Sequence, residues 1–205
     1  MEAYKTKELI TQSALEMFAK RGYQAVSIRD IAKAVGIKES SIYYHFKNKQ
    51  AIMDELLNRI DRLIKEKQAA FADAFAVATG VSEEAMCSVA VGVLENYLLH
   101  AFVYPVIQML SIERLADQRA DEAYQRIVFH LPLAQHREVF RQMILRGYIK
   151  DNSTDILAHE YYSIIYLAFQ KNCIGYNAAE TSREDACNEI RRNILDLFKK
   201  MKEGS

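Results

Sequence analysis

Apolar residues recur at helical spacing along most of this chain, and no sustained apolar/polar alternation bounded by turn residues marks a strand. Between Tyr4 and Lys20, Leu9, Ile10, Ala14, Met17 and Phe18 fall on one face, and Arg21-Gly22 supplies a stop. Ser27 stands at an N-cap position before Ile28, Ile31, Ala32 and Val35, and Gly36 breaks that second helix. A third helix is predicted over Lys38 to Phe46, with Ile42 and Phe46 inward. A fourth is predicted from Lys49 to about Phe71, with the stripe Ile52, Met53, Leu56, Leu57, Ile60, Leu63 and Ile64.

Thr79-Gly80-Val81-Ser82 reads as a linker. Helices are then expected to about Ala101, from Pro105 to Leu115, from Asp117 to His130, and from Pro132 to Arg146. Asn152-Ser153-Thr154-Asp155 opens another, running to about Gly175, and Ser182 opens a last one to about Met201. With 7 Gly and 2 Pro in 205 residues and half of them hydrophobic, there is little turn material and enough apolar surface for a sizeable core. The expected fold class is all-α.

Net charge is zero, but it is unevenly placed. Residues 1–50 carry +4 and residues 51–205 carry −4, a basic head on an acidic body. Such a chain touches a polyanion at one end rather than sticking to it generally. Cys87, Cys173 and Cys187 are far apart and show no metal spacing, so reduced thiols in a cytoplasmic protein are expected. The start of the chain has no apolar core of a signal peptide. Val89 to Leu110 has Glu95 as its only charge, but Pro105 interrupts it and Asn96, His100 and Gln108 lie inside. A buried helix pair fits it better than a bilayer span. His100, His130, His136 and His159 form no HxxxH or HExxH pair, and no nucleophile or phosphate-loop signature appears. Neither a metal, a cofactor nor an enzyme activity is expected.

The chemistry concentrates between Gly22 and Lys49. Small Ala32 permits close helix crossing, and Gly36 four residues on permits the positive φ of a sharp turn, with Ile28, Val35, Ile37 and Ile42 as a miniature core. Lys38, Glu39, Ser41, Tyr43, Tyr44 and His45 are left to project outward. This is the layout of a helix-turn-helix that sets one helix in a DNA groove. A helical bundle whose surface happens to be basic is the bland alternative, and Tyr43 packs as well as projects.

Residues 9–56 resemble the DNA-binding domain of the TetR (tetracycline-repressor) family. The matching elements are Ala14, Phe18, Gly22-Tyr23, Val26 to Ala32, Val35-Gly36-Ile37 and Ser41 to Lys49. The resemblance implies a helix-turn-helix domain over residues 1–48. It also implies a ligand-binding and dimerisation domain over 49–205, joined through a connecting helix over 49–71. It implies DNA contacts at Ser27, Arg29, Ser41, Tyr43, Tyr44, His45 and Lys49: Arg29 on guanine or phosphate, Tyr44 and His45 on phosphate. Lys38 and Ser40 depart from the family pattern and are where operator preference would be written.

The resemblance further implies a homodimer on a palindromic operator and a small, mostly apolar effector. Lining positions for the effector are Asn96, Tyr97, His100, Phe102, Tyr104, Met109, Tyr124, Phe129, His130 and Tyr162, with Tyr161 and Tyr166 alongside; aromatics at this spacing serve a core equally well. The expected dimer stripes are Ile164, Ile165, Ala168 and Phe169, with Ile190, Ile194, Leu197 and Phe198. The same stripes would also suit packing inside one chain. The function implied is a transcriptional repressor released from its operator by the effector.

Overall fold

The computed structural model of the chain describes residues 2–76, 79–150, 153–174 and 180–203. The helices are α1 (Glu2–Arg21), α2 (Ile28–Val35), α3 (Glu39–His45), α4 (Lys49–Ala76), α5 (Glu83–Val93), α6 (Val103–Glu113), α7 (Gln118–Gln125), α8 (Leu131–Leu145), α9 (Thr154–Cys173) and α10 (Glu180–Glu203). Among the described residues there is no strand, so the fold is all-α with an N-terminal helix-turn-helix. The positions Asn152 and Gly175, expected at the ends of α9, lie outside the described residues.

Local chemistry explains most of the boundaries. Ser27, Ser82, Asp117 and Ser153 each accept the backbone N–H three residues on, satisfying a donor that the first helical turn leaves unpaired. Two expectations need correction. Leu9 is 58% exposed, while Thr11 and Leu15 take the inward positions of α1 with Ile10, Ala14 and Phe18; at 100° per residue Leu9 falls just off the stripe. The predicted break between His130 and Pro132 is also absent, because α7 and α8 run together through a π-helical turn, Arg126–His130. Pro132 has no N–H for the i−4 carbonyl, and the wider i→i+5 turn just before it lets the helix continue past the proline. A second π turn, Leu94–Leu98, extends α5 and closes with Leu99 N–H on the Leu94 carbonyl at 2.8 Å.

Packing divides the chain into two compact units. Unit 1 is Met1–Phe71 with Ala101–Val128, and unit 2 is Ala72–His100 with Phe129–Ser205. In unit 1, α1 packs on α2 and on α6, and α6 on α7. Phe18, Ile31, Ile42, Ile52, Leu56, Val106 and Leu110 are buried there. In unit 2, α9 lies against both α8 and α10, and α10 against α5. Unit 1 therefore draws two helices from the middle of the sequence into the body of its N-terminal domain.

Candidate nucleic-acid interface

The α2–turn–α3 segment is fixed by reciprocal local bonds. Ser27 Oγ accepts from Asp30 N–H at 3.1 Å, and the Asp30 carboxylate accepts from Ser27 N–H at 2.9 Å and from the Ser27 hydroxyl at 2.7 Å. This capping box holds the Asp30 carboxyl below its ordinary value, chiefly through the Ser27 backbone bond. Gly36 has φ 75°, and the Gly36 and Ile37 amides return to the end of α2, Ile37 N to the Ala32 carbonyl at 3.0 Å. α3 then starts at Lys38, whose side chain makes no cap bond. Ile42 is fully buried and Phe46 nearly so, and they pin α3 to the domain.

The face left outward is long and wettable. Tyr43 is 54% and Tyr44 81% exposed. Arg29, Lys38, Ser40 and Lys47 are exposed too, while Ser41 and His45 are half-buried. Tyr44 meets the His45 ring edge-on at 5.1 Å. A short helix with apolar residues on one side and aromatics with cations on the other can lie in a groove and reach phosphates.

Lys49 is placed otherwise than the sequence suggests. Its ammonium donates to the carbonyls of Tyr23 at 2.8 Å, Val26 at 2.9 Å and Gln24 at 3.5 Å, and it sits 4.2 Å from the Tyr23 ring centroid. Partial burial lowers its pKa, against the pull of the Glu113 carboxylate. In this arrangement Lys49 is a brace for the α1–α2 loop, with its three donors occupied.

Glu113, which sequence reasoning passed over, completes this corner. It ends α6, is 6% exposed, and accepts from Gln24 N–H at 3.4 Å. It approaches Gly22 so closely that a Cβ there would lie 2.7 Å from Glu113 Oε1. Gly22 has φ 81°, a left-handed conformation that glycine adopts without strain, and a side chain there would push the Glu113 carboxylate aside. Tyr23, Gln50, Met53, Asp54, Leu110 and Glu113 are among the residues lining a cavity of about 90 Å³ beside this corner. The Tyr23 phenol is pushed up by burial first and by Asp54, Asp117 and Glu113 next. The one available signal was an acid closing an otherwise apolar helix.

The expected effector residues fall in both units. In unit 1, Phe102, Met109 and Tyr124 are buried and Tyr104 is half-buried; Arg59 lies over Phe102 and Arg114 over Tyr124, at 4.4 and 4.0 Å from the centroids. In unit 2, Tyr162 is buried, Tyr97, His100 and Phe129 are half-buried, and Asn96 and His130 are exposed. Phe129 meets Tyr166 edge-on at 5.0 Å, and Tyr162 stacks on Tyr166 at 6.0 Å.

The dimer stripes need a correction. Ile165, Ala168, Phe169, Ile190, Ile194, Leu197 and Phe198 are buried within the protomer, where α9 packs on α10 and α10 on α5. Only Ile164 of that set is half-open. Hydrophobic burial has no direction, so a stripe that could have met a second chain is satisfied by its own. The apolar groups left outward on or just after α9 are Ile156, Leu167 and Ile174.

Residues 10–56 match the family described as bacterial regulatory proteins, tetR family. Over 49 residues the chain is 41% identical to the biofilm operon icaADBC HTH-type negative transcriptional regulator IcaR of Staphylococcus aureus (strain Newman), covering 24% of this chain and 26% of that protein. Over 51 residues it is 43% identical to the HTH-type transcriptional repressor KstR2 of Mycolicibacterium smegmatis, covering 25% of each. The match thus spans about a quarter of the length of these curated relatives. The fold matches a candidate TetR-family regulator from Mesorhizobium loti MAFF303099 with a TM-score of 0.76 at 15% identity, covering 97% of this chain and 98% of that one. It matches a TetR-family regulator from Agrobacterium tumefaciens with a TM-score of 0.65 at 18% identity, covering 95% and 97%. At such identities these last two speak for the fold alone. Among the described residues no single helix is long and apolar enough to cross a membrane.

Proposed function

We propose, from the match of residues 10–56 to the family described as bacterial regulatory proteins, tetR family, that this chain is a sequence-specific, cytoplasmic DNA-binding regulator, a repressor whose operator affinity a small effector lowers. The observation that carries this reading is α3: a core-anchored helix, set behind the capped α2, whose outer face holds Tyr43, Tyr44 and Lys38 in the open. Residues 1–48 do the reading, with α4 as the connection to a sensing and dimerising remainder. Arg29 and Lys38 reach base edges or phosphates, and Ser40 and Ser41 add hydroxyls. Tyr44, His45 and Lys47 hold the backbone. Ser27 and Lys49 act at one remove, by fixing the loop and helix that present the others.

A homodimer places two copies of α3 in successive major grooves, about 34–36 Å apart. We assign its contact to the outward side of α9, with Ile156, Ile164 and Leu167, over a core made rigid by the buried stripes. The effector acts by binding one dimer shape better than the other, and its leverage is limited to that difference in affinity. Within unit 1, Glu113 gives α6, and Lys49 gives α4, a direct hold on the α1–α2 loop, so a shift of either helix moves the reading head.

The test is a titration of the dimeric protein with DNA from upstream of its own gene at several salt concentrations. Affinity falling steeply with salt, weaker binding with a shallower slope for Lys47→Ala, and a two-fold symmetric footprint are the expected results. Binding that ignores DNA sequence, or a variant with the wild-type slope, would sink the reading.

A further inference from the structure

The core of unit 2 contains two polar atoms that the protein leaves without a hydrogen-bond partner among the described residues: His136 Nε2 and Tyr161 Oη. Both side chains are more than nine-tenths buried, at 7% and 2% exposure. They sit on α8 and α9, which pack side by side, and their rings meet edge-on at 4.9 Å. Leaving either atom dry costs about 1–3 kcal/mol, and a Leu or Phe would fill the same space without that cost. Two such atoms on rings whose centroids lie 4.9 Å apart can share one partner that bonds to both.

The surroundings restrict what that is. Phe140 lies 5.5 Å from Tyr161, and Tyr162 lies 5.8 Å from His136. The Cys87 thiol also lies near Tyr161, and burial pushes its pKa up, so it is neutral too. Burial holds the imidazole uncharged, with a pKa lowered to about 4. The side chains described around the pair, Phe140, Tyr162 and Cys87, carry no charge, so a carboxylate or an ammonium entering would lose hydration without an adjacent countercharge. Outward from the pair runs a row of rings: Tyr162 on Tyr166, Tyr166 against Phe129, the last two half-buried. A planar ligand moving along that row exchanges one ring contact for another.

We propose that this pair is the polar anchor of the effector site and that the effector is a neutral aromatic hydroxyl compound, its ring among Phe140, Tyr162 and Tyr166 and its hydroxyl bridging His136 Nε2 and Tyr161 Oη. A hydroxyl both donates and accepts, so it serves either imidazole tautomer. The proposal rests on the effector reading above for its biological meaning, but not for its chemistry.

The experiment titrates the full-length protein, without DNA, with phenol, toluene and benzoate, read by calorimetry and by methyl NMR shifts. Phenol is expected to bind saturably and at least about tenfold tighter than toluene, the worth of one good hydrogen bond, with benzoate not binding. Tyr161→Phe and His136→Phe should each cut the preference for phenol over toluene severalfold, since each removes one of the two bonds to the hydroxyl. Tyr161→Phe should keep or raise the melting temperature, since it removes an unpaired oxygen; that variant alone carries the test if His136→Phe does not fold. Equal affinity for phenol and toluene, a preference undiminished by Tyr161→Phe, or no saturable binding overturns the proposal. A protein that takes phenol this way yet ignores its promoter keeps the anchor and loses the regulator reading; promoter binding without phenol selectivity does the reverse.

Discussion

The helix-turn-helix corner of unit 1 and the aromatic interior of unit 2 treat polar groups in opposite ways. Around Ser27, Asp30, Gly36 and Lys49, the described donors and acceptors have partners, and three of these four residues find them within a few positions along the chain. Around His136 and Tyr161, polar atoms sit in apolar company with none. The first arrangement builds a rigid presenting surface and leaves its chemistry outside. The second keeps its chemistry inside, at a standing cost in stability. A surface that must match a fixed partner gains from preorganisation, while an interior that keeps unpaired groups is built around a molecule that comes and goes.

The sharpest way to break this contrast is to remove aromatic packing in unit 2. Phe140→Ala, at 1% exposure, should cost about 3–5 kcal/mol in urea unfolding; a loss under 1 kcal/mol would show that the interior is loosely packed and the ring row unimportant. Next comes pH. His136 in the folded protein has a pKa lowered to about 4 from 6.5. Below 6.5 the unfolded chain takes up a proton that the folded one refuses, so stability is full above 6.5 and falls as pH drops toward 4. The loss reaches about 3 kcal/mol, and His136→Phe should flatten it. Asp30 titrates in another window. Its folded pKa is lowered, so its contribution is present above 3.8 and lost as pH falls below that. Unfolding curves at pH 7.0, 6.0 and 5.5, above the window in which Glu55, Glu138 and Glu189 lose their contributions, isolate the histidine; a flat profile over that range would remove it.

Smaller effects probe the other corner. Lys49→Met keeps the apolar stem but loses the three carbonyls, and should cost about 1–2 kcal/mol by thermal melting, with operator affinity falling as the loop relaxes. Ser27→Ala should cost about 1 kcal/mol through the cap alone. Tyr44→Ala should leave stability within about 0.5 kcal/mol while weakening DNA binding. If it instead lowered stability as much as Lys49→Met, Tyr44 would be packing rather than presenting.

What could be read from the sequence follows the reach of each interaction. Caps were legible at Ser27, Ser82, Asp117 and Ser153 because donor and acceptor are three residues apart. The outward residues of α3 were legible because Ile42 and Phe46 fix its inner side. Lys49 was not, since its partners are carbonyls more than twenty residues upstream, and carbonyls carry no side-chain signature. Glu113 was missed because the backbone N–H it accepts from, that of Gln24, lies 89 residues upstream. The stripes on α9 and α10 were correctly seen as apolar, but sequence does not say whether the surface that covers them belongs to the same chain. Pro132 misled because a π turn can absorb a proline that an α turn cannot.

The composition of unit 1 bears on how such proteins can be recombined. Its N-terminal helices share a core with α6 and α7, contributed by residues 101–128 after an excursion of some thirty residues into the other unit. The reading head is therefore not a cassette bounded by one cut. A chimera joining residues 1–48 to another regulator would bare the side of α1 that α6 covers and would strand Gln24 without Glu113. Swapping specificity between relatives would succeed by transplanting the outer residues of α3 onto this frame, or by moving both segments together.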